Sequence, residues 1–176
     1  MSPWSAPAAG RARWRAQAPN LAVTAMGFVF LFSQKGGSPL VLVRLWETPQ
    51  ELAWAMVAFT ALGFAFCWWA RLHLGPLWSG TVTRKADHLI VDTGPYRWVR
   101  HPIYTGILAG AAGLAILDGT AGALVGLGLL SLGLAMKARL EEGFLKAELG
   151  ADPYRAYAAR VPMLIPWRWR RPARRA

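Results

Sequence analysis

The sequence predicts an all-α helical bundle set in a membrane, with four or five spans. Three observations predict it. Residues of the hydrophobic set make up 55% of the 176 residues and charged residues only 16%; soluble domains run at about 45–50% and about 25%. The apolar residues gather into runs on the scale of a bilayer crossing. The Lys and Arg residues fall between those runs rather than within them. The same figures exclude an intrinsically disordered chain, which needs low hydrophobicity, and a soluble enzyme with a polar shell. The length suits one domain, residues 1–176. A single cysteine, Cys67, excludes an internal disulfide and a Cys-rich zinc site.

The first apolar run, residues 20–33, is short and reaches span length by recruiting 16–19 or Gln34. Arg11, Arg13 and Arg15 before it give the N-terminus the look of a signal peptide. The stretch 33–37 lacks a small-x-small cleavage pattern, so a retained helix is expected. Residues 39–46 are apolar but too short to cross; they form an interfacial or re-entrant piece, or contribute to a fifth span. Residues 52–70 form the best single span. Residues 103–117 and 121–136 are separated by Asp118-Gly119-Thr120 alone and predict a helical hairpin. Gly106 and Gly110, like Gly122 and Gly126, are spaced for close helix packing in lipid. Counted between the spans, Lys and Arg number three, two, five, zero and ten. That alternation places both termini on the cytoplasmic side. The net charge of +11 therefore reads as membrane-surface charge, not as a nucleic-acid footprint. Trp residues near span ends, such as Trp68, Trp69, Trp98 and Trp167, read as interfacial anchors.

The connector between the second and third spans is far longer than the usual connection of about 4–6 residues. It offers extended stretches at 81–83 and 89–91 and a turn at 92–95. His73 and His88 within it read as structural or solvent-facing, and no metal site is expected. Pro102 suits the first turn of a helix. Arg100 and His101 then lie just before that helix, with Tyr104 and Gly106 in its first two turns. A helix N-terminus beside them suits an anionic ligand group. After the fourth span, Leu140, Phe144, Leu145 and Leu149 continue a helical period. Glu141 and Glu142 point about 100° apart. Taken alone, Lys137–Glu141 and Glu142–Lys146 are ordinary i,i+4 surface ion pairs.

Two motifs at this separation resemble those of one family. Gly94-Pro95-Tyr96-Arg97-x-Val99-Arg100-His101-Pro102-x-Tyr104-x-Gly106 is followed by a hairpin. Then come Glu141-Glu142-x-x-Leu145 and Tyr154-x-x-Tyr157-x-x-Arg160-Val161-Pro162. Together they resemble the isoprenylcysteine carboxyl methyltransferase and phospholipid methyltransferase family of integral membrane enzymes. Arg71-Leu-His-Leu-Gly75-x-x-Trp78-Ser79 resembles that family's upstream motif. The resemblance covers residues 67–167, the methyltransferase core; residues 1–50 add a variable span region.

The resemblance implies S-adenosyl-L-methionine as methyl donor, with S-adenosyl-L-homocysteine as product. It implies a cytoplasmic cofactor pocket formed by the 71–102 connector and the C-terminal helix. Tyr96, Arg100, His101, Pro102, Tyr104, Gly106, Glu141 and Glu142 would line that pocket, with at least one of the two Glu a cofactor ligand. A carboxylate suits the donor's ammonium, and an Arg or helix N-terminus suits its carboxylate. Arg100, Glu142 and Arg160 are the expected catalytic residues, and Arg97, Tyr154 and Tyr157 the expected substrate contacts. The expected acceptor is a lipophilic molecule bearing an isoprenylcysteine-like carboxylate, and the expected surroundings are the lipids of a bacterial inner membrane. Three other readings stand beside this one: a lipid-amine N-methyltransferase, a nicotinamide-dependent sterol-reductase-like enzyme, and a non-catalytic membrane scaffold. Pro102-Ile103 occupies the stretch where the reductase pattern expects Asn.

Overall fold

The computed structural model describes residues 7–32, 43–75 and 90–166, with the side chains of 7–16 and 148–149 left aside. Five α-helices carry the described chain: α1 (Pro7–Phe32), α2 (Gln50–Leu74), α3 (Pro102–Asp118), α4 (Ala121–Leu149) and α5 (Ala151–Arg160). A 3₁₀ turn, Gly94–Arg97, precedes α3. Among the described residues the single β pairing is an isolated bridge between Arg44 and Thr120. The expected extended stretch at 81–83 lies outside the described residues. At 89–91, residues 90 and 91 are described and form no strand.

Two helices, α2 and α4, are long and apolar enough to cross a membrane. The apolar part of α1 (Gln17–Phe32) and α3 are apolar but shorter. Side chains along α2 such as Trp54, Leu62, Phe64, Trp68 and Leu72 are exposed. An apolar surface of that extent belongs against lipid or another protein.

The helices divide between two compact units. Residues 1–57 and 111–137 form one; residues 58–110 and 138–176 form the other. In the first, α1 and α4 approach backbone to backbone. A Cβ placed on Gly27 would meet Leu130 N at 2.5 Å, and one on Gly126 would meet Leu31 N at 2.5 Å. The α3–α4 turn is pinned by the segment before α2. Leu45 N donates to Gly119 O (2.7 Å) and Ala121 N to Val43 O (2.9 Å). Trp46 Nε1 donates to Ile116 O (2.9 Å) and so does Thr48 Oγ1 (3.0 Å). The two bonds to Ile116 O satisfy a carbonyl that the end of α3 would otherwise leave open, and Val43 O takes an N–H at the start of α4. Thr120 starts α4 by accepting from Ala123 N–H through Oγ1 (3.2 Å), an N-cap arrangement. Residues 43–46 of the short apolar piece are thus a non-helical strap, not part of a spanning helix.

In the second unit α2 and α3 pack through glycine. A Cβ on Gly106 would meet Gly63 O at 2.5 Å and Cys67 Cβ at 2.9 Å. Thr60 Oγ1 donates to Gly110 O (3.3 Å) across the same contact. Helix α5 buries Tyr154 and Tyr157, with Val161 just beyond its end, against Ile90, Leu145 and Ala158.

Candidate functional site

The second unit brings both sequence motifs into one bonded cluster. Helix α3 starts at Pro102, which is fully buried, and this sets Arg100 and His101 at its head. From α4, Glu141 and Glu142 reach the same place. Arg100 Nε donates to Glu142 Oε1 at 2.7 Å. His101 Nε2 lies 3.3 Å from the same oxygen. Tyr104 OH donates to Glu141 Oε1 at 2.6 Å, and His101 Nδ1 lies 3.6 Å from Glu141 Oε2. The rings of His101 and Tyr104 stack at 5.4 Å with 3° between their planes. One histidine is therefore set between two carboxylates.

The two carboxylates differ in access. The Glu142 side chain is 10% exposed, and both Arg100 and His101 reach its Oε1. The Glu141 side chain is 31% exposed, so its carboxylate keeps an open side. The expected Glu142–Lys146 surface pair gives way to this arrangement. Burial and a guanidinium outweigh a solvated i,i+4 contact worth a few tenths of a kcal/mol. Lys146 Nζ instead lies 5.8 Å from the centre of the Tyr154 ring.

Helix α5 and the strap after it cover the cluster. Arg100 Nη1 donates to Ala158 O (3.0 Å) and Val161 O (2.6 Å), carbonyls at the end of α5. Arg100 N donates to Pro162 O (2.9 Å) and His101 N to Met163 O (3.1 Å). Thr105 Oγ1 donates to Leu164 O (2.6 Å). The chain's own carbonyls thus take backbone N–H groups at the head of α3, where an anionic group was expected. Tyr157 OH donates to Tyr96 O (2.8 Å), tying α5 to the 3₁₀ turn. Sequence reasoning missed this strap, because a backbone carbonyl carries no residue signature.

The tyrosines around the cluster are held neutral. Burial pushes the Tyr96 phenol up to about 12, with the Cys67 thiol and Glu141 adding to the shift. Burial, and then neighbouring acidic groups, also raise Tyr154 and Tyr157 above the ordinary tyrosine range. None of the three is a ready base near neutrality.

The remaining expected site residues lie elsewhere. Arg97 is exposed on the 3₁₀ turn. Arg160 is exposed too, its Nη2 3.7 Å from Asp92 Oδ2. Gly106 faces Gly63 and Cys67 of α2, so its lack of a side chain serves helix packing.

Comparison with known proteins agrees with the motifs. The model of the isoprenylcysteine carboxyl methyltransferase family matches residues 56–147, just over half of the chain. Methanethiol S-methyltransferase 1 of Bradyrhizobium diazoefficiens is 40% identical over 73 residues, covering 42% of this chain and 25% of that protein. Protein-S-isoprenylcysteine O-methyltransferase of Schizosaccharomyces pombe is 38% identical over 87 residues, covering 47% of this chain and 35% of that protein. The matches thus span about a quarter to a third of the length of these curated relatives. No solved structure matches.

Proposed function

Because the chain belongs to the isoprenylcysteine carboxyl methyltransferase family, we propose that it methylates a lipophilic, anionic acceptor from S-adenosylmethionine at the membrane–cytoplasm interface. The acceptor of first choice is an isoprenylcysteine-like carboxylate. The observation that carries this reading is the junction of the two motifs. Arg100 and His101 at the head of α3 meet Glu141 and Glu142 of α4 within hydrogen-bond reach.

The residues present fit the donor. Glu141 offers a partly open carboxylate for its ammonium. The stacked His101 and Tyr104 rings offer flat faces for its adenine or its sulfonium. Bound there, S-adenosylmethionine would supply an electrophilic methyl group. The chain's own residues do the rest by holding and enclosing. Glu142 and Arg100 clamp the head of α3 to α4 and α5 and so fix the rings. Arg100, with three bonds to the chain itself, acts as that clamp rather than as an acceptor ligand. Tyr154 and Tyr157 on α5 wall the cluster off, and excluding water favours transfer to an acceptor over side reactions. A carboxylate acceptor is already ionised at neutral pH and needs no base, which suits a site whose tyrosines stay protonated.

A thiol acceptor is the second reading. The Bradyrhizobium relative is named for methanethiol, and a thiolate is an anion of the same charge. The setting proposed for both is a multi-pass protein of a bacterial inner membrane, its pocket on the cytoplasmic side.

The test is calorimetric titration of the detergent-purified chain with S-adenosylhomocysteine and, separately, with reduced nicotinamide cofactor. Saturable binding of the first and none of the second is expected. The reverse result would move the chain to double-bond reduction, and binding of neither would leave the scaffold reading. Product analysis with a farnesylcysteine and a short alkyl thiol then separates the two acceptors.

A further inference from the structure

We infer that His73, in the last turn of α2, is a positioning residue for the pocket. It grips the 3₁₀ turn that delivers Arg100 and His101. The inference rests on the cofactor reading above and gives a role to a residue of the upstream motif that otherwise reads as structural or solvent-facing.

One imidazole touches three residues in and beside a four-residue turn. His73 Nε2 lies 3.0 Å from Thr93 Oγ1. Thr93 occupies the N-cap of the turn, yet its side chain makes no cap hydrogen bond; its hydroxyl is engaged by His73 instead. The next residue is Gly94, with φ +55°. A Cβ there would sit 2.6 Å from His73 Cε1 and 2.8 Å from Nδ1. The ring therefore lies flush on the Gly94 backbone, in the space a side chain would need. Two residues further on, the Tyr96 ring faces the imidazole at 6.4 Å and 25°.

The other contacts of the turn leave His73 a distinct share. Tyr157 holds it from the α5 side through Tyr96 O. Downstream, Trp98 stacks on Phe66 at 6.1 Å and meets Trp69 edge-on at 5.5 Å. Val99 is 1% exposed, so the chain has little slack before Arg100. Tyr96 OH donates to Ala70 O of α2 (3.5 Å) from the middle of the turn, and His73 holds its start, Thr93 and Gly94, against the same helix. A shift there passes to Arg100 and His101, whose bonds to Glu142 and to the strap carbonyls need distances near 3 Å. The gripping atoms are a ring nitrogen and a hydroxyl that can both donate and accept.

The test uses the full chain in detergent and two readouts. Hydrogen exchange of the ligand-free protein reports the amides of Arg100 and His101, which donate to Pro162 and Met163. Titration with S-adenosylhomocysteine reports the pocket. Loss of one such contact is expected to give His73→Ala about tenfold faster exchange at residues 100–101 and about tenfold weaker binding. Exchange at Ala121, in the other unit, should not change. His73→Gln, whose amide can still meet Thr93, should recover most of both effects. Gly94→Ala should be less harmful in the His73→Ala background than alone, because the ring it collides with is gone. Unchanged exchange at residues 100–101 overturns the inference, as does an equal rise at Ala121, which would mark a merely global loss of stability. Unchanged affinity beside faster exchange overturns it too. Should the unaltered chain not bind S-adenosylhomocysteine, the cofactor reading fails on its own, and the exchange readout still decides whether His73 holds the turn.

Discussion

Glu141 and Glu142 are neighbours in sequence, yet the fold gives them different work. Glu142 is 7% exposed and bonded to Arg100 and His101, so Glu142→Ala leaves a largely buried guanidinium without its carboxylate. Breaking such a pair costs about 3 kcal/mol or more. A large fall in thermal midpoint is expected, with cofactor binding lost as a consequence. Glu141→Gln keeps an acceptor for Tyr104 and removes only the charge. It is expected to leave the midpoint within a degree or two (about 0.5 kcal/mol) while weakening S-adenosylhomocysteine at least about tenfold. Thermal melts and titrations on the same samples separate the two roles, and equal effects on both measures would refute the division. The tyrosines give a pH prediction. Tyr96, Tyr154 and Tyr157 all titrate above their ordinary value of 10.0. A phenol whose native pKa is raised adds stability that is whole below the unfolded value. It is lost as the pH climbs through the native one. The window runs from about pH 10 to at least 12. All four tyrosines of the chain lie at this site, so tyrosinate absorbance reports on it alone. It should lag behind free tyrosine and then rise together with loss of helix. A rise at pH 10 with the helices intact would mean the phenols are not buried.

At the scale of the element, legibility follows the kind of signal. Helices α2, α3 and α4 were readable because apolar runs, Pro102 and the Asp118-Gly119-Thr120 break are all written in side chains. The meeting of Arg100 and His101 with the paired Glu was legible only through the family resemblance, since residues forty positions apart share no local pattern. What two straps bond to was not legible. Residues 43–48 bind the α3–α4 turn, and residues 161–164 bind the head of α3, mainly through backbone groups. Every residue type carries those groups alike, so composition holds no trace of them. The apolar stretch 39–46 was open to an interfacial or a spanning reading for this reason. Its hydropathy is plain, but its described residues, 43–46, take their partners from residues 116–121, mainly from the backbone. The Trp46 indole makes this strap testable. Trp46→Phe keeps the ring and removes the donor to Ile116 O. It is expected to cost about 1 kcal/mol of stability and to leave S-adenosylhomocysteine affinity unchanged. A melt and a titration check it, and weakened binding would show that the turn communicates with the pocket.

For the molecule as a whole, the proposed chemistry needs the motif cluster to face the cytoplasm. The charge series supports that orientation. Zero Lys or Arg residues lie in the α3–α4 turn, against five from Arg71, in the last turn of α2, to Arg100 before α3, and ten from Lys137 onward. Cytoplasmic loops are the ones that collect such charges. Helix α4 runs 29 residues, or about 43 Å at 1.5 Å per residue, against about 30 Å for the hydrocarbon core. It can therefore cross and still carry Glu141 and Glu142 beyond the core. A charged pair is far less costly there than at the bilayer centre. Cys67 is the chain's one cysteine, which makes the orientation measurable on a cysteine-free Cys67→Ser background. Glu47, exposed on the strap at the α3–α4 turn, and Asp152, exposed on α5, are suitable places for a single new thiol. In intact spheroplasts a membrane-impermeant maleimide is expected to label Glu47→Cys at once and Asp152→Cys only after lysis. Labelling of both from outside would deny that α4 crosses. The reversed pattern would put Glu141 and its neighbours on the far face, away from any cytoplasmic supply of S-adenosylmethionine, and the proposed reaction could not run there.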